Sequence, residues 1–279
     1  MKIATLTIVG VGLIGGSVGL AAKRRKVAER VIGVGRRADR LAEAVAAGII
    51  DEAAALPAAA GRSDVVLFCT PVDAIAGGVL QAASCCGPGT LLTDAGSTKR
   101  GIVAELEAAL PEHARFVGGH PLAGSEKQGA EHANAQLFEG RVTVLTRCPR
   151  TDPEALAQAS VFWQRLGSEV RVMTPEEHDR SLAQTSHLPH LVAAALAGSL
   201  PLELRELAAS GFRDTTRIAA GDPSLWAAIL LQNRGPVLEA LERLRQGLTG
   251  WEAALRDGDR QMLQDLLGQA KRRRDALGN

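Results

Sequence analysis

Four short segments of this chain combine residue types that scaffolding alone does not require. They are Thr93-Asp94-Ala95-Gly96-Ser97-Thr98-Lys99, Gly118-Gly119-His120-Pro121-Leu122-Ala123-Gly124-Ser125-Glu126, Ser186-His187-Leu188-Pro189-His190 and Gly211-Phe212-Arg213-Asp214-Thr215-Thr216-Arg217. Histidine is the side chain whose ordinary pKa, about 6.5, suits a proton acceptor near neutral pH. An arginine fork can grip a carboxylate through two parallel hydrogen bonds. Histidine, hydroxyl and guanidinium are thus the types that acid–base chemistry on an anionic small molecule needs. Metal chemistry is not expected. The cysteines Cys69, Cys85, Cys86 and Cys148 make neither a zinc knuckle nor a Cys-x-x-Cys pair. Pro189 interrupts the His187-x-x-His190 spacing, and no acid or third ligand stands nearby.

A second kind of chemistry is written in glycine. Gly10-Val11-Gly12-Leu13-Ile14-Gly15 follows the apolar run Ile3 to Val9 and opens a helical stretch, Leu13 to Lys26. In that setting Gly10 allows a tight turn, Gly12 lets the backbone approach a pyrophosphate, and Gly15 lets helix and strand pack closely. The helix N-terminus offers free N–H groups and a positive dipole end to the phosphates. After the second strand the chain reads Gly33-Val34-Gly35-Arg36-Arg37, with no acid to accept from a ribose 2′-hydroxyl. Two guanidiniums beside that point match a 2′-phosphate, so NADP is the expected cofactor and NAD the alternative.

These residues need elements to hold them. Runs from Ala4 to Val9, Val31 to Gly35, Val65 to Thr70, Leu91 to Asp94 and Phe116 to Gly118 are near-continuously apolar, as in parallel strands covered on both faces. Arg141 to Leu145 and Glu169 to Met173 bracket a helix opening at Thr151-Asp152-Pro153. After Met173 the pattern turns helical. Thr174-Pro175-Glu176-Glu177 reads as a cap, and Leu238, Leu241, Leu244, Leu248, Trp251 and Leu255 recur at helical spacing. The expected architecture is α/β: a Rossmann-type doubly wound dinucleotide-binding domain over 1–173, then an all-helical substrate and dimerisation domain over 174–279. Ligands of open parallel sheets collect outside the C-terminal strand ends, which implies a cleft between the two parts. His113, His132 and His178 read as surface residues.

Composition excludes other classes. The 279 residues are 46% hydrophobic and 23% charged, with a formal net charge of +1. No global field favours nucleic acid or a membrane surface. No apolar run reaches the ~20 residues a bilayer span needs. Lys23-Arg24-Arg25-Lys26 and Lys271-Arg272-Arg273-Arg274 fall where helices should end, opposing the negative end of the dipole. The opening Met1-Lys2-Ile3 runs into a strand without signal-peptide architecture, so a cytoplasmic protein with reduced thiols is expected.

Taken together and in order, these motifs resemble the prephenate/arogenate dehydrogenases of tyrosine biosynthesis over essentially the full length. The resemblance rests on the glycine turn, Leu67-Phe68-Cys69-Thr70-Pro71, Asp94 to Lys99, Gly119-His120-Pro121, Ser186-His187-Leu188-Pro189 and Gly211 to Arg217. It implies oxidative decarboxylation: hydride leaves the ring carbon bearing the hydroxyl, carbon dioxide departs and the ring becomes aromatic. His120 matches the catalytic histidine of the family and Ser97 the serine that orients it. Arg217 matches the substrate-binding arginine, with Asp214 as its possible orienter, Arg213 as the alternative carboxylate binder and Glu126 as a gate found in some members. Gly10, Gly12, Leu13, Ile14, Gly15, Thr70, Pro71 and Ser97 are the implied cofactor contacts, with Arg36 and Arg37 at the ribose. His190 matches a residue of prephenate-preferring members, so prephenate is expected over arogenate, and a homodimer is implied. Rival readings are a two-domain reductase of an imine or 3-hydroxy acid and a catalytically idle NADP-binding regulator.

Overall fold

The computed structural model describes residues 3–124 and 127–278. The first two thirds alternate strand and helix, in the order β1 (Ile3–Val9), α1 (Leu13–Arg24), β2 (Ala28–Val34), α2 (Ala38–Ala46), β3 (Glu52–Ala53), α3 (Leu56–Ala60), β4 (Val65–Phe68), α4 (Val72–Ala83), β5 (Leu91–Asp94), α5 (Arg100–Ala109), β6 (Arg115–Val117), β7 (Gly119–Pro121), β8 (Val142–Thr146), α6 (Pro153–Arg165) and β9 (Glu169–Met173). The first six strands form one parallel sheet in the order β3-β2-β1-β4-β5-β6, reversing direction of growth between β1 and β4. That is the dinucleotide-binding order, and its switch point is where ligands bind. Buried Leu6, Ile8, Val31, Leu67 and Leu91 face α1 and α6 on one side, while Ile32, Val66, Phe68 and Leu92 pack with Ile75 and Val79 of α4 on the other. Strands β4 and β5 are buried throughout, which explains their unbroken apolar sequence.

A smaller sheet, β7-β8-β9, continues from it. Only Gly118 separates β6 from β7, and β7 then runs antiparallel to β8. The glycines make that crossing possible. A Cβ on Gly118 would lie 2.4 Å from Thr146 Oγ1, and one on Gly119 would lie 2.6 Å from the Asp94 carbonyl oxygen. Any side chain there would push β7, and His120 with it, off the end of β5.

After β9 the described residues are helical: α7 (Pro175–Leu182), α8 (Leu188–Ser199), α9 (Ser210–Thr216), α10 (Pro223–Gln232), α11 (Arg234–Asp257) and α12 (Arg260–Asp275). Thr174 caps α7 as expected and forms a full capping box with Glu177, and Asp152, Asp222 and Asp259 cap α6, α10 and α12. Between α7 and α8 the backbone opens into a π-helical turn, Ala183–His187. Pro189 accounts for it, because a proline inside a continuous helix removes one hydrogen bond and clashes with the carbonyl four residues earlier.

Compactness divides the described residues between Asn233 and Arg234, so α7–α10 belong with the sheets and α11–α12 form a second unit. Two strands go beyond the sequence reading. Glu52–Ala53 and Gly119–Pro121 are too short to show a periodicity, and the second carries His120. Strand β2 also begins three residues before the apolar run does, because Glu29 and Arg30 are exposed.

Candidate active site

The glycine turn has the geometry its spacing implies. Gly10 has φ +95°, and a Cβ there would sit 2.7 Å from the Cys69 carbonyl oxygen. A Cβ on Gly15 would lie 2.1 Å from the Gly10 carbonyl oxygen, whereas one on Gly12 would meet nothing within 4 Å. The space above Gly12 is therefore open. No side chain caps the N-terminus of α1, and no acid stands in its first turn. Leu13 and Ile14 open that helix half-buried. At the end of β4, the Thr70 hydroxyl oxygen is buried without a partner among the described residues, and exposed Pro71 follows it to cap α4. An uncapped helix end, an open approach and an orphaned hydroxyl fit a dinucleotide's phosphates.

Past β2, Arg36 and Arg37 are both exposed. Arg37 is already engaged by Asp39, at 2.5 Å, in the first turn of α2.

The end of β5 builds the second half of the site. Asp94 and Lys99 are both fully buried and form an ion pair. Asp94 also accepts from the Gly96 and Gly119 N–H groups at 2.8 and 2.9 Å, tying β7 to β5. Half-buried Ser97 lies inside the loop that this pair closes, and Thr98 hydrogen-bonds Gln232 of α10 at 2.5 Å.

His120 projects from β7 and is buried. Its Nδ1 lies 2.8 Å from Nε2 of His178 on α7, whose Nδ1 lies 2.7 Å from Asp179 Oδ1. His178 is therefore no surface residue, contrary to the sequence expectation: it is wholly buried. Its neighbours Pro175, Asp179 and Leu182 share the buried face of α7, and the strongly polar sequence Glu176-Glu177-His178-Asp179-Arg180 hid that face. Asp179 further accepts from the Lys99 and Arg100 N–H groups, at 2.8 and 3.0 Å, where α5 begins. The Asn233 amide donates to the Asp179 carbonyl and to His187 Nδ1, at 2.7 and 2.9 Å. Neither Asp179 nor Asn233 was singled out by sequence; the i, i+3, i+4, i+7 spacing of Pro175, His178, Asp179 and Leu182 is the signal that could have marked a buried face of α7.

Burial holds His120 well below its ordinary pKa of 6.5, and the neighbouring His178, Lys99 and His187 add to the effect. His187 is pushed down to about 4, again mainly by burial. Burial likewise depresses His190. All three imidazoles are thus neutral at neutral pH.

His190, on α8, stacks on Trp226 of α10 with ring centroids 3.5 Å apart. His187 Nε2 and His190 Nδ1 are buried without partners among the described residues. Gly221 comes so close to this corner that a Cβ would lie 3.0 Å from His190. The turn Arg217–Ala220, ending at Gly221, packs on α8 and so brings exposed Arg217 to the same region. Arg213 and Asp214 are exposed on α9, and Arg213 donates to the Ala208 carbonyl at 3.0 Å. Glu126 lies outside the described residues.

Comparison with known proteins agrees with this geometry. Residues 18–172 match the prephenate dehydrogenase nucleotide-binding domain, and residues 174–269 match the prephenate dehydrogenase dimerization domain. The chain belongs to the prephenate dehydrogenase family. Prephenate dehydrogenase of Bacillus subtilis is 36% identical over 85% of this chain and 66% of its own length. The structure of the Aquifex aeolicus prephenate dehydrogenase with hydroxyphenyl propionate and NAD+ has a TM-score of 0.90 at 32% identity, covering 99% of each chain. Arogenate dehydrogenase of Synechocystis has a TM-score of 0.82 at 32% identity, covering 98% of this chain and 99% of its own.

Proposed function

We propose that this chain oxidatively decarboxylates prephenate to 4-hydroxyphenylpyruvate, with hydride transfer to a nicotinamide dinucleotide. The observation that carries the reading is a buried, neutral His120 at the end of the parallel sheet, on the same side as the glycine turn. Gly10 to Gly15, Thr70 and Pro71 would hold the dinucleotide, which supplies the hydride acceptor when bound. His120 takes the proton of the substrate hydroxyl, with Ser97 orienting the imidazole, and its neutrality is what the task demands. Arg217 holds a substrate carboxylate through paired hydrogen bonds, with Asp214 as its orienter, Arg213 as the alternative carboxylate binder and Glu126 as the gate that the family resemblance implies. His190, neutral and backed by Trp226, serves the keto side chain; an ammonium there would ask instead for a carboxylate. That favours prephenate over arogenate.

For the dinucleotide we favour NAD over the NADP expected from the sequence. Arg37 is paired with Asp39, which sets a carboxylate beside the ribose end and leaves Arg36 alone to meet a 2′-phosphate. NAD is the cofactor this arrangement favours, as in the Aquifex complex. Residues 174 onward act as the substrate and dimerisation part. Leu202 is 83% exposed and Leu207 78%, surfaces that a second copy would cover. Light scattering at micromolar concentration should give a dimer; a monomer would exclude it.

The testing experiment follows absorbance of reduced nicotinamide with prephenate and arogenate, each with NAD and NADP. Prephenate with NAD is expected to give the highest kcat/KM. No turnover with any pair would leave the regulator reading in its place.

A further inference from the structure

A lone histidine can accept a proton, yet His120 sits at the head of a chain of three groups. The Asp179 carboxylate can only accept, and it already takes the Lys99 and Arg100 N–H groups. The proton between it and His178 therefore belongs to His178 Nδ1, at 2.7 Å. Neutral His178 then has its lone pair on Nε2, so across the 2.8 Å contact His120 must donate from Nδ1. What remains on His120 is a bare Nε2.

We propose that Asp179 and His178 are positioning residues that keep the His120 proton on Nδ1, and that His178 takes this proton while His120 Nε2 receives the substrate's. The proposal rests on the oxidative decarboxylation reading above. The substrate O–H bond breaks and its proton bonds His120 Nε2. The Nδ1–H bond of His120 breaks as that proton bonds His178 Nε2, leaving His120 neutral and His178 an imidazolium against Asp179. Hydride goes to the nicotinamide ring, the ring carboxylate leaves as carbon dioxide, and its bonding electrons complete the aromatic ring as a phenolate. Both proton transfers then reverse, the phenolate becomes the phenol, and no net proton is released.

Charge around the pair favours this location. His120 faces Lys99 from the segment after β5 and His187 from the π turn, and it shares a hydrogen bond with His178. His178 faces Lys99 too, but it also faces Asp94 and bonds Asp179 directly. A positive charge is therefore better held on His178 than on His120.

Nitrogen NMR of the histidine rings in ligand-free protein tests the first half. His120 is expected to show a protonated Nδ1 and a bare Nε2 in the wild type. In His178→Gln the amide oxygen can still accept from His120 but cannot hold a proton. That variant should keep the His120 tautomer while kcat falls by about tenfold or more with KM nearly unchanged. Asp179→Asn, whose amide can donate to His178 Nδ1, should flip both tautomers and lower kcat by about 10³–10⁴. If Asp179→Asn fails to fold because the cap of α5 is weakened, His178→Gln alone decides. A His120 proton on Nε2 in the wild type, or an unchanged kcat in His178→Gln, would overturn the proposal. Because the tautomer is read without substrate, absence of prephenate turnover would count against the reaction and not against the tautomer.

Discussion

The glycine turn follows β1 and the histidine network begins on β7 of the smaller sheet, and the two are built in opposite ways. The turn is backbone: Gly10 to Gly15 lie within six consecutive positions, and what matters is the absence of side chains. The network is side chain. His120, His178, Asp179, His187 and Asn233 come from a strand, a helix, a π turn and the residue after α10. The first is a local property of sequence and the second a property of packing. Each therefore fails differently when altered.

The largest expected effect is on the network. His120→Asn should lower kcat by about 10²–10⁴ while leaving dinucleotide affinity unchanged, because it removes the proton acceptor and not the turn. Steady-state kinetics with a separate dinucleotide titration checks both halves. Next comes the buried pair beneath it. Lys99→Met strands the Asp94 carboxylate and should cost about 3–5 kcal/mol in denaturant unfolding.

Changes in the turn act more mildly on stability and more directly on the cofactor. Gly10→Ala forces an alanine to φ +95° and a 2.7 Å contact with Cys69. About 1–3 kcal/mol of stability should be lost, and dinucleotide binding should weaken in a fluorescence titration. The smallest effect lies at the ribose end. Arg37→Ala frees Asp39 and should change the ratio of NADP to NAD kcat/KM by less than about tenfold, since both groups are solvated. If Gly10→Ala spared binding while His120→Asn abolished it, the contrast between the two regions would collapse.

The same contrast explains what could be read in advance. The glycines, the continuous apolar strands and the Thr174 cap were legible because each is set by neighbours in sequence. His120 was legible only as part of a motif; the strand that carries it is three residues long and has no pattern of its own. His178 was misplaced because its polar neighbours describe the outer face of α7, while burial of the inner face depends on residues some 60 positions earlier in the chain: 58 separate it from His120. Arg37 reads in the sequence as a 2′-phosphate ligand, and in the fold it also pairs with exposed Asp39, two residues on.

The most direct measurement is the pH dependence of kcat/KM with prephenate. His120 must be neutral to act, and its folded-state pKa is depressed below 6.5. Activity should therefore be full above 6.5 and be lost only as pH falls through that lowered value. A single acid limb well below 6.5, absent from the residual rate of His120→Asn, is the predicted result. An acid limb at or above 6.5, or one that persists unchanged in His120→Asn, would contradict the assignment of His120 as the neutral base.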